Sequence, residues 1–116
     1  MATRSLITIK YESGFDGIYC HFDGHPDRML PELEQYFSSR ESVNRLLDGG
    51  DASSIKKGEV NYYNSRGENT TKFENFEFEE MIQEAKDVDA EYVYIFDGDF
   101  PLGVKDGWTY LKVSDY

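Results

Sequence analysis

The sequence predicts an α+β domain: an antiparallel β-sheet, built from an N-terminal hairpin and C-terminal strands, with two or three helices packed on one face. Three observations predict it. Period-two alternation recurs at both ends of the chain, in Ile7-Thr8-Ile9-Lys10-Tyr11 and again over Trp108 to Val113. A helical stripe, Phe78, Met81, Ile82 and Ala85, lies between them. Aromatic residues make up 16% of the chain, too many for a disordered acidic segment.

The elements follow in order. Ser5 to Tyr11 reads as a half-buried strand, with Ile7, Ile9 and Tyr11 on one face. Ser13 to Gly17 reads as a turn. Gly17 to Asp23 alternates again, placing Ile18, Cys20 and Phe22 opposite Tyr19, His21 and Asp23, which completes a hairpin. Asp23-Gly24-His25-Pro26 breaks the strand. Leu30, Leu33 and Phe37 fall at helical spacing over Met29 to Phe37, with Pro31 expected in the first turn. Ser38 and Glu41 suggest a capping box for a second helix that buries Val43, Leu46 and Leu47 and stops at Gly49-Gly50.

Ser53-Ser54-Ile55 and Val60 to Tyr63 suggest a second hairpin, followed by a turn over Asn64 to Asn69. Asn75 is placed to cap the third helix. Glu91 to Phe96 is rich in Tyr, Val and Ile and reads as a strand. Asp97-Gly98-Asp99 and Pro101-Leu102-Gly103 shape a long turn before the last strand.

With 116 residues the chain is expected to be one domain, residues 1–116, large enough to fold without metal or disulfide. Cys20 is the single cysteine, which fits a reducing compartment. Met1 to Lys10 lacks a long apolar run and a cleavage pattern, so no signal peptide is expected. A cytoplasmic protein with no membrane contact is the expectation.

Charge is the most uneven property of the chain. Between Glu74 and Asp99 stand ten acids and one base, Lys86, a net −9 out of a total of −11. The first 73 residues hold eleven acids and nine bases and are nearly balanced. Such a surface repels nucleic acid and attracts basic proteins, so direct nucleic-acid binding is not expected. On the third helix Glu77, Glu80, Glu84 and Asp87 fall at i, i+3, i+7 and i+10, one acidic row. Glu91, Asp97 and Asp99 would flank it. Without compensating lysines, neighbouring like charges cost helix stability. The alternative is a solvated face that serves solubility alone.

Other strings carry less. Cys20 to Asp27 holds both histidines, the cysteine and two carboxylates, but on a strand Cys20 and His21 point apart. A metal-dependent or hydrolytic enzyme centred on His21, Asp23 and His25 is therefore the alternative reading, and no metal or cofactor is expected. Asp97-Gly98-Asp99 opens like a calcium loop, yet the twelfth position is Trp108 where a Glu is needed. Tyr62, Tyr63 and Arg66 suit a protein-contact loop, since Tyr and Arg are common interface anchors.

Ala2-Thr3-Arg4-Ser5, Gly17-Ile18-Tyr19-Cys20-His21-Phe22-Asp23-Gly24, and Arg66-Gly67-Glu68 ahead of Ala90 to Phe96 resemble a group of small proteins of phages, prophages and related mobile elements. The resemblance spans most of the chain through short motifs. It implies a small accessory protein made in an infected bacterial cell, and no catalytic residue. By analogy of size, charge and origin it suggests an inhibitor of host defence, most concretely an anti-CRISPR protein. Its acidic face would cover a basic nucleic-acid-binding surface such as that of a Cas effector. A structural or regulatory accessory role is the remaining alternative, and the oligomeric state is open between monomer and homodimer.

Overall fold

A computed structural model describes residues 3–97 and 107–116. Its elements are β1 (Ser5–Tyr11), β2 (Gly14–Cys20), α1 (Pro26–Tyr36), α2 (Arg40–Asp48), β3 (Ala52–Lys56), β4 (Glu59–Tyr62), β5 (Phe73–Phe76), α3 (Phe78–Asp87), β6 (Tyr92–Asp97) and β7 (Gly107–Lys112). Short 3-10 turns follow β4 and β7. The α+β class is as the sequence predicts. The expected turn beyond Asp97 lies outside the described residues.

The strands form one mixed, mostly antiparallel sheet in the order β4-β3-β2-β1-β6-β7, with β5 paired to β2. The pairings β1–β6 and β2–β3 are parallel. Helical crossovers make them possible, because a parallel neighbour cannot be reached by a tight turn.

Helices α1 and α2 share a face, packed on Ile7, Ile9, Ile18, Cys20, Tyr94 and Phe96. Helix α3 lies on the other face, where Met81, Ile82 and Ala85 meet Leu6, Val93 and Ile95. The expectation of two or three helices on one face therefore resolves to two, with the third opposite. The half-buried reading of β1 gives way for the same reason. Ser5, Leu6, Ile7, Thr8 and Ile9 are all buried, because the sheet is covered on both sides.

Local boundaries differ where turn chemistry is subtle. The first turn is only Glu12-Ser13, so Gly14 to Gly17 belong to β2. Gly17 sits where a Cβ would meet the Phe73 ring at 2.5 Å, the space through which β5 approaches β2. Pro26 and not Pro31 starts α1, and His25 caps it by accepting the Asp27 N–H. Pro31 sits inside the helix. Ser39, one residue later than expected, caps α2 together with Ser42. Asn75 adopts a positive φ in β5, and Glu77 is the residue that caps α3. The second hairpin is present, closed by Lys57-Gly58, both at positive φ as a two-residue hairpin turn requires.

Candidate functional site

The acidic row is carried by α3. Its apolar stripe is fixed against the sheet, so the opposite side of the helix faces water. Glu77, Glu80 and Asp87 are exposed and Glu84 is half-buried. Three of the four also serve the helix, Glu77 as its cap. Glu80 Oε1 accepts the Glu77 N–H at 3.0 Å, reciprocating the cap, and Asp87 Oδ1 accepts from Gln83 Nε2 at 3.0 Å. Lys86, the one base in α3, donates to the Tyr116 carbonyl at 3.0 Å.

Asp97 is the last residue of β6, and Glu91 immediately precedes the strand, about 20 Å away at ordinary strand rise. Asp97 falls at the same alternation as Val93 and Ile95, whose side chains pack under α3. The alternation puts Asp97 on the α3 side of the sheet. Asp89 also lies here and pairs with Arg4 at 3.3 Å. Asp99 lies outside the described residues.

Tyr62, Tyr63 and Arg66 divide by role. Tyr62 donates from its hydroxyl to the Leu46 carbonyl at 2.6 Å, and its ring lies 2.3 Å from where a Cβ on Gly49 would stand. Burial pushes its phenol up to about 12. It locks β4 against α2. Arg66 reaches over the Tyr63 ring, 5.6 Å from its centroid, and donates to Ser53 Oγ at 3.4 Å.

Sequence reasoning missed what joins these two. The Ser53 carbonyl accepts the Phe22 N–H at 2.8 Å, so β2 and the loop after β4 converge on one serine. The Phe22 ring is 45% exposed and stands edge-on to His21, 4.4 Å between centroids. His21 Nδ1 is 2.6 Å from the Tyr19 hydroxyl. Burial raises the Tyr19 phenol above its ordinary range, so it keeps its proton. No short motif encodes this patch. It depends on the parallel register that sets Cys20 beside Ala52.

The members of the Cys20 to Asp27 string have separate partners. Cys20 is fully buried, and burial pushes its thiol up to about 12, far from a thiolate. Asp23 lies 4.0 Å from Arg28, and His25 is the α1 cap. Among the described residues no three His, Cys, Asp or Glu side chains converge to hold a metal ion. No helix among them is long and apolar enough to cross a membrane. No protein-family model, curated protein or solved structure matches this chain.

Proposed function

We propose that the protein works by binding, and that its α3 face occupies a basic, nucleic-acid-binding surface of a partner protein. The observation that supports this most is positional. Glu77, Glu80, Glu84 and Asp87 run from the cap of α3 along the helix, while Glu91 precedes β6 and Asp97 ends it. Acids so fixed on a rigid helix and strand form a surface, unlike a tail. Complementary charge gives fast association that weakens with salt. The resemblance to small phage and prophage proteins supports a specific version, an inhibitor of a bacterial defence complex such as a Cas effector. The exposed Phe22 and the Tyr63–Arg66 pair supply aromatic and guanidinium groups of the kind that anchor interfaces.

The test is capture and inhibition of a Cas effector in vitro by the native chain and by a variant carrying Glu84→Lys and Asp87→Lys. Loss of inhibition, with an unchanged circular-dichroism spectrum, is the expected result. Retained inhibition by the reversed-charge variant rules out the charge-based mode. A His21→Ala variant addresses the enzyme reading, which requires that this one change abolish activity in the folded protein.

A further inference from the structure

On the side of the sheet away from α3, three elements border an open cleft of about 320 Å³. Tyr36 and Phe37 close it from the end of α1, Arg45 and Leu46 from α2, and Val60 and Tyr62 from β4. The hairpin turn forms its rim at Gly58. A Cβ there would stand 2.9 Å from the Tyr36 ring, so the absent side chain leaves the ring its place.

The walls are fixed without a ligand. Glu32 accepts the N–H groups of Lys57 and Gly58, at 3.0 and 3.4 Å, and ties the hairpin turn to α1. The Tyr62 hydroxyl bond to Leu46 ties β4 to α2. The Phe37 carbonyl accepts Trp108 Nε1–H at 2.8 Å and holds the end of α1 on β7. The lining is polar and apolar in about equal share, and a preformed, open depression of this size can seat a small ligand that offers both a ring and a polar group.

Its charge selects the ligand. In a chain of net charge −11, Arg45 is the one charged residue in the described lining. Its guanidinium makes a loose contact with Glu41 at 3.9 Å, both groups largely exposed. The Ser42 hydroxyl is already used in the α2 cap, donating to the Ser39 carbonyl at 2.8 Å. Aromatic walls with a single forked cation fit a planar ring carrying a carboxylate, which the guanidinium can bind bidentately. We infer that this cleft binds a small aromatic carboxylate.

The experiment is a two-dimensional amide NMR titration of the full chain with 3-phenylpropionate and, separately, with its neutral amide. Saturable shifts centred on Leu46, Gly58 and Val60 are expected with the acid. The amide should bind about tenfold more weakly, the worth of one charge-assisted contact. Arg45→Gln, an exposed change, should bring acid and amide to equal affinity. Val60→Phe should fill the cleft and abolish binding of both. Absence of saturable shifts, equal affinity for acid and amide in the native chain, or undiminished acid binding by Arg45→Gln each overturns the inference.

Discussion

The carboxylate of Asp51 accepts the backbone N–H of Tyr19 at 3.0 Å, at the point where β2 changes edge partners. Below it, Phe15 and Gly17 of β2 pair with β5, and above it Cys20 pairs with β3. Among the described residues no strand covers Tyr19 on that edge, so the side chain takes the place of a ladder bond. The Asp51 N–H donates to Thr70 Oγ1 at 2.9 Å, and its carbonyl accepts from Tyr63. One residue thereby joins β2 to the loop that carries Tyr63 and Arg66.

This junction predicts a pH-dependent difference between two variants. Burial is the largest influence on Asp51 and raises its carboxyl above the ordinary value of 3.8, opposed by the Tyr19 hydrogen bond. The folded chain therefore holds the proton more tightly than the unfolded chain. Stability falls as pH rises from 3.8 through the raised native value, then levels off. Asp51→Asn keeps an acceptor and does not titrate. Its stability relative to the native chain should improve across that window. Asp51→Ala strands the Tyr19 N–H and should be about 1–3 kcal/mol less stable than the Asn variant at every pH. Urea melts of the three proteins between pH 4 and 8 check this, and equal midpoints for Ala and Asn would refute the role given to the carboxylate.

Tyr94 predicts a second loss. It is fully buried, and its hydroxyl donates at 2.6 Å to the Gly24 carbonyl, seventy residues away in sequence. Burial holds the phenol protonated far into the alkaline range, so the bond persists across ordinary conditions. Tyr94→Phe keeps the ring packing and leaves that carbonyl with one donor fewer. A loss of about 1–3 kcal/mol is expected by denaturant unfolding with an unchanged slope. A change within about 0.3 kcal/mol would mean that water replaces the hydroxyl at Gly24.

These long-range bonds mark where the sequence stops being legible. The α3 stripe, the Val43-Leu46-Leu47 face and β1 are local periodicities, and they appear where the spacing puts them. Strand β5 was not legible, because Phe73 to Phe76 is short and kinked by a positive φ at Asn75. It exists through Gly17 and through the Asp16 carboxylate, which accepts the Asn75 N–H at 3.0 Å. The second covered face was hidden in β1, whose residues read as alternating until Leu6 is seen under α3. Of the site, the acidic row was legible as helix spacing. The convergence of Phe22 and Arg66 on Ser53 was not, since a parallel pairing leaves no local signal.

Ser5 predicts a gain. It is fully buried in β1, and its hydroxyl has no hydrogen-bond partner among the described residues. A polar group taken out of water without compensation costs free energy. Ser5→Ala removes the oxygen and keeps the Cβ, so no overpacking follows. It should raise stability by about 1 kcal/mol. Thermal melts check the sign, and a clear decrease would reveal a partner for the hydroxyl.

The acidic row predicts opposite outcomes for the same substitution at its two ends. Glu80 lies in the first turn of α3, where negative charge suits the helix dipole and its carboxylate accepts the Glu77 N–H. Glu80→Lys removes the cap partner and puts a cation at the positive end, and should cost about 1 kcal/mol. Asp87 is the last residue of the helix, where the dipole favours a cation. Asp87→Lys loses the contact from Gln83 but gains at the negative end, and should leave stability within about 0.5 kcal/mol. Equilibrium unfolding of the two single variants separates them. An equal loss at both positions would mean that the row acts on stability as a whole, and then reversed-charge effects on partner binding could not be read apart from unfolding. A split between the ends makes Asp87→Lys the variant whose binding defect reports on the surface alone.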